Sequence, residues 1–96
     1  MNKQIPTNSR QAFKILDEML SAEEIQSILS KSKGEFLTDE HFGLGQWIRN
    51  NWIYADKEGK GLFAYDSDHP GIIDPDYQSA EFLEKYYNHL KRKQRA

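Results

Sequence analysis

Apolar residues recur along most of this chain three and four positions apart, the spacing of helices with one buried face, and no stretch alternates as a half-buried strand would. After Ile5-Pro6, the run Thr7-Asn8-Ser9 offers oxygens that can cap a helix. Ala12, Phe13, Ile15, Leu16, Met19 and Leu20 then fall on one side of a wheel, and Arg10, Gln11, Lys14, Asp17 and Glu18 on the other. A first amphipathic helix is expected over residues 8–20. Ser21-Ala22-Glu23-Glu24 has the form of a capping box and predicts a second helix presenting Ile25, Ile28 and Leu29. Lys31-Ser32-Lys33-Gly34 reads as its stop, with cations at the C-terminal end and a glycine behind them.

A third helix is expected from a cap at Thr38, with Asp39 and Glu40 in its first turn, to about Tyr54. Residues 56–73 lose the periodicity and read as a long loop with one helical turn near residues 61–65. Asp74-Pro75 starts a last helix, Asp at the cap and Pro at the first helical position. Its inner face is Ala80, Phe82, Leu83, Tyr86, Tyr87 and Leu90. The fold class this predicts is all-α: a small bundle of about four helices around a central aromatic-rich helix, with one long loop before the last.

The centre of that bundle is residues 41–52, His-Phe-Gly-Leu-Gly-Gln-Trp-Ile-Arg-Asn-Asn-Trp. Leu44, Trp47, Ile48 and Trp52 share an arc of about 140°, wider than the stripe of an ordinary surface helix. His41, Gly45 and Asn51 fall on the same arc, whereas Gln46 and Asn50 point away and Arg49 stands at its border. Glycine costs a helix interior about 1 kcal/mol relative to alanine, so Gly45 is expected to admit a close neighbour.

The motif His-Phe-Gly-Leu-Gly-x-Trp-Ile-Arg-Asn-Asn-Trp, after an Ile-Pro start and an amphipathic helix, resembles the core of a family of small uncharacterised bacterial and phage proteins. In that family a Gly-Ile-x-His-Pro-Asp-Asp segment leads into a last helix with a Tyr and a Leu. Here Gly71-Ile72-Ile73-Asp74-Pro75-Asp76-Tyr77, then Tyr86 and Leu90, stand at the matching places. Asp74 replaces the family's His and Tyr77 its second Asp, so chemistry resting on those two positions does not carry over. The resemblance implies a fold and a bacterial or phage context, and no activity.

Ninety-six residues make one domain, with residues 91–96 a basic tail expected to fray. Without cysteine the chain has no disulfide framework, no thiol nucleophile and no thiolate metal site, which suits a reducing cytoplasm. The first residues lack the apolar run of a signal peptide, and no stretch approaches a membrane span, so a cytoplasmic protein is expected. A formal net charge of −2 argues against attraction of the whole surface to nucleic acid, and no aromatic-interleaved groove accompanies the basic tail. No cofactor is implied.

Four groups of residues could carry function. His41, Arg49 and Asn51 could hold an anion, position a water or act as acid and base; equally, they could form a buried network fixing the loop to the helix. Asp66, Asp68 and His69, with Asp74 and Asp76 nearby, supply hard ligands, but a calcium loop counted from Asp66 would need a glutamate where Tyr77 stands. Turn and cap roles account for these acids, and no metal site is assigned. The basic tail suits a helix dipole. Trp47, Phe63, Tyr65 and Tyr77 could form an exposed aromatic edge, since twelve aromatics are many for one small core and surplus Trp and Tyr enrich interfaces. The binding candidates are therefore His41, Arg49, Asn51, Trp47, Tyr65 and Asp74. The expected function is a non-enzymatic protein-interaction or regulatory module whose partner is another protein. The alternative is a small enzyme or anionic-ligand-binding domain using His41, Arg49 and Asn51. An enzyme needs those groups converging in an open cleft, whereas an adaptor needs an apolar surface.

Overall fold

The structure, a computed structural model, describes residues 5–56, 61–64 and 75–95. Five α-helices account for most of these residues, and none of the described residues lies in a strand. The all-α bundle expected from the periodicity is what the chain adopts.

Helix α1, Ser9–Met19, begins at Asn8, whose side chain accepts the Gln11 backbone N–H. It buries Ala12 and Leu16, one turn apart on a single face. Helix α2, Ala22–Leu29, starts at the anticipated capping box: the Ser21 hydroxyl accepts from the Glu24 N–H, and the Glu24 carboxylate accepts from the Ser21 N–H.

The next boundary corrects the sequence reading. Ser32 does not end α2; it opens a separate helix α3, Lys33–Glu40, through a second capping box with Glu35. Thr38 is therefore inside a helix instead of capping one. The cations at Lys31 and Lys33 suggested a helix end, but a Ser with Glu three residues later satisfies two orphan backbone donors at once, and that arrangement dominates locally.

Helix α4, Leu44–Ile48, follows a break at residues 41–43 and passes directly into a π-helical turn, Arg49–Ile53, where the Tyr54 N–H reaches back five residues to the Arg49 carbonyl. The long third helix expected from Thr38 to Tyr54 is thus two helices and a widened turn. A 3-10 turn at Leu62–Ala64 occupies the place of the turn anticipated near residues 61–65. The rest of the expected long loop, residues 57–60 and 65–73, lies outside the described residues, and so does the Asp74 cap.

Helix α5, Pro75–Arg95, is the longest element and packs against α2, α3, α4 and the π turn. Phe82, Leu83, Tyr86, Tyr87 and Leu90 meet Ala12, Leu16, Ile28, Phe36, Leu44, Ile48 and Trp52 in one core. The aromatic-rich stretch and α5 supply most of that core, and α1, α2 and α3 the rest. Two rings meet Phe82 edge-on: Trp52 lies across it at 5.7 Å between centroids, and Phe63 meets it at 5.7 Å.

Candidate functional site

The break between α3 and α4 is built from glycine and carboxylate chemistry. Gly43 leaves helical geometry at φ −96, ψ −101 and has no side chain with which to cap α4. Glu40 does so instead: its carboxylate accepts the Leu44 N–H at 3.0 Å. Gly45, one residue into α4, is buried beneath the end of α3. A Cβ there would stand 2.9 Å from the Glu40 carbonyl oxygen, 3.2 Å from an Arg49 guanidinium nitrogen and 3.5 Å from Leu83. The close neighbour expected at Gly45 is therefore backbone, guanidinium and core leucine together.

Arg49 joins three elements. One Nη donates to the Ser79 hydroxyl at 2.9 Å, the other to the His41 carbonyl at 2.7 Å, and Nε lies 3.3 Å from an Asp76 carboxylate oxygen. The Ser79 hydroxyl in turn donates a hydrogen bond to the Asp76 carbonyl. A cation suits the His41 carbonyl at the C-terminal end of α3; at the N-terminal end of α5 it would be repelled by the helix dipole but for the carboxylate of Asp76. The guanidinium is buried, and its donor edges face the protein. Arg49 and His41 are thus brought together, but through the His41 backbone. The His41 imidazole packs edge-on against Phe42.

Asn51 takes a different part. Its side-chain amide donates to the Trp47 carbonyl at 2.9 Å, the acceptor its own backbone N–H would take in an α-helix. The π register and this bond occur together, and the indoles of Trp47 and Trp52, five residues apart, touch edge-on at 5.3 Å. Residues five apart in an α-helix face about 140° away from each other, so the wider turn helps bring the two rings onto one side. Tyr65 and Asp74 lie outside the described residues, as do Asp66, Asp68 and His69. Among the described residues no group of three His, Asp or Glu could hold a metal ion.

A cleft of about 330 Å³ opens beside the helix break. Met19 and Leu20 from the end of α1, Ile28 from α2, and Leu44 and Trp47 from α4 give it an apolar lining. Glu24, Lys31 and Glu40 stand among the polar lining residues. Each of these charges has a partner within the chain: Glu24 accepts the Ser21 N–H, Glu40 the Leu44 N–H, and the Lys31 ammonium lies 3.3 Å from Asp39. Met19 is 42 % exposed, and Phe42, next to the Gly43 wall, is 78 % exposed. Of the aromatics expected at an exposed edge, Tyr77 is exposed, while Trp47 and Phe63 are half-buried against the core.

The model of one family, described as a domain of unknown function (DUF6794), matches residues 5–90, nearly the whole chain. The chain belongs to that family. Its uncharacterised standing agrees with the resemblance drawn from the central motif. No match was found among curated proteins or among solved structures.

This DUF6794 domain also contains a polar cluster that sequence reasoning missed. Asp17 of α1 faces α5, where one carboxylate oxygen accepts the Tyr86 hydroxyl at 2.8 Å and the other lies 3.1 Å from both His89 Nε2 and Lys93 Nζ. Phe13 stacks on the His89 ring at 4.5 Å. Burial alone would raise the Asp17 pKa, but hydrogen bonds from His89, Tyr86 and Lys93, together with the Lys93 charge, leave it lowered. Burial, then the hydrogen bond to Asp17 and its charge, push the Tyr86 phenol well above the usual tyrosine range. Asp17 sits on the polar side of a wheel, and its partners follow it by 69 to 76 residues, so no local signal could have connected them.

Proposed function

We propose that this domain is a non-enzymatic protein-interaction or regulatory module, acting in the cytoplasm of a bacterial or phage-infected cell, and that the cleft beside the α3–α4 break receives its partner. The observation that carries this reading is the cleft's apolar lining with a half-exposed methionine at its edge, a residue type that adapts to different partners. The polar groups at hand favour this use over catalysis. Arg49, His41 and Asn51 do not converge on an open space: the guanidinium is held by three protein partners and Asn51 by a backbone carbonyl. The rim carboxylates are occupied as helix caps. The central motif and the absence of cysteine support the cellular setting. Among the described residues no helix is long and apolar enough to cross a membrane.

Affinity capture tests the reading. Wild-type domain and a Met19→Asp variant, both checked for unchanged helical circular dichroism, are exposed to extract of the cell that produces the protein. A stoichiometric partner retained by wild type and lost by the variant is the expected result. Identical captures, or none, would remove the cleft as the interaction surface.

A further inference from the structure

We infer that the occupant of this cleft is a basic amphipathic helix of a partner protein, its apolar face set against Met19, Leu20, Ile28, Leu44 and Trp47 and its lysines or arginines beside Glu24 and Glu40. The inference rests on the interaction reading above and adds the chemistry of the partner.

Charge selects the occupant. The charged residues lining the cleft are two carboxylates, Glu24 and Glu40, and one lysine, Lys31; the segment that carries them, residues 18–43, holds six carboxylates against two lysines, while the remaining residues hold nine against eleven lysines and arginines. That segment is more acidic than the molecule at large, whose net charge is only −2. Both lysines of the acidic segment are already paired, Lys31 with Asp39 at 3.3 Å and Lys33 with Glu84 at 3.6 Å. Glu24 and Glu40 are fixed in place by the backbone N–H groups they accept, so their negative charge is held at the cleft. Accepting from the Ser21 N–H, and from its hydroxyl, also holds the Glu24 carboxyl below the usual range, so it is charged at neutral pH.

Shape favours a helix. The apolar lining residues come from three helix segments that converge at the break, forming a trough between α1–α2 and α4. Side chains at i, i+3, i+4 and i+7 of an amphipathic helix can enter such a trough while the charged flank stays at the rim. A small polar ligand finds little to orient it there, since the lining is mostly apolar.

The test uses synthetic peptides of about 18 residues, long enough to form a helix in isolation. One is an amphipathic Leu/Lys helix; the second has every Lys replaced by Glu; the third is the Leu/Lys composition scrambled to destroy the apolar face. Trp47 reports binding, because it lines the cleft whereas Trp52 is buried. The Leu/Lys helix should shift the tryptophan emission to the blue, with an affinity that falls as salt rises, while the other two peptides bind at least tenfold more weakly. Combining Glu24→Gln with Glu40→Gln keeps an acceptor for each backbone N–H but removes the charge, and should weaken the Leu/Lys helix by about tenfold with a flatter salt dependence. Met19→Gln should weaken it too, whereas Tyr54→Gln, outside the cleft lining, should not.

Equal binding of the scrambled peptide, equal binding of the Leu/Glu helix, or indifference to the Glu→Gln pair would each overturn the inference. If no peptide binds but the Met19-dependent capture persists, the basic helix is wrong and the interaction reading stands. If that capture fails as well, the interaction reading falls with it.

Discussion

Arg49 shows how far a single side chain can be misjudged on a wheel. Its angular position placed it at the border of the buried face, yet it is buried, because the end of α3 and the start of α5 close over it. Arg49→Lys keeps the charge and loses the fork that reaches Ser79 and the His41 carbonyl together. Asp76 is exposed, so that pair contributes little; the two buried bonds dominate. The variant should lose roughly 2–4 kcal/mol of stability, measured by urea denaturation. A loss below about 0.5 kcal/mol, typical of surface positions, would release Arg49 from its structural role. Gly45 makes a parallel case. Leu at this position meets the Glu40 backbone and Leu83, neither of which can retreat easily, and should cost roughly 2–3 kcal/mol. At Gly43 the nearest atom to an added Cβ is the Glu40 carboxylate, a side-chain end that can swing aside at the cost of its one bond to the Leu44 N–H, so Gly43→Leu should be milder. Equal melting temperatures for the two variants would refute this distinction.

Whether α3 exists as an element separate from α4 depends on a few hydrogen bonds. Ser32 caps α3 at one end, and at the other Glu40 turns back to cap α4 while Gly43 breaks the helical path. Ser32→Ala removes one side of the second capping box and should cost about 1 kcal/mol, close to the cost of Ser21→Ala at α2, in thermal or urea unfolding. If α3 instead began at Thr38, Ser32→Ala would be silent. The widened turn that follows has its own marker. Asn51→Ala should lose about 1 kcal/mol with its bond to the Trp47 carbonyl and should change the near-ultraviolet circular dichroism of the Trp47–Trp52 pair. An unchanged aromatic spectrum would separate Asn51 from the π turn.

On the scale of the whole molecule, α5 holds the bundle together through apolar packing and through the Asp17 cluster. The Asp17 pKa is lowered in the folded state, so the group contributes stability above its unfolded pKa and loses that contribution as pH falls through the folded value. Acid should therefore loosen the α1–α5 contact below the ordinary aspartate range, near pH 4 and under. Asp17→Asn should lower stability at neutral pH and flatten the acid limb of a stability–pH curve, read by denaturation at several pH values. A variant whose curve stays parallel to wild type would mean that Asp17 contributes no pH dependence.

Periodicity and caps sufficed for the all-α class, the inward faces of α1, α2 and α5 apart from Met19, which is half exposed at the end of α1, and the Ser21 capping box, because each rests on residues within one or two turns of one another. The same local grammar was ambiguous at residues 31–34, where cations and glycine spell a stop while Ser32 and Glu35 spell a start; satisfying the backbone donors resolved it. Residues 41–52 were legible as special but not as to how. Their division into α4 and a π turn, the burial of Arg49 and the cleft at Met19 and Trp47 all depend on neighbours distant in sequence. Ser79 is 30 residues from Arg49 and Tyr86 is 69 from Asp17. Hydrogen bonds and packing across such gaps exist only once the helices have docked, so the sequence alone determined which faces turn inward, and the tertiary structure decided which polar groups those faces enclose.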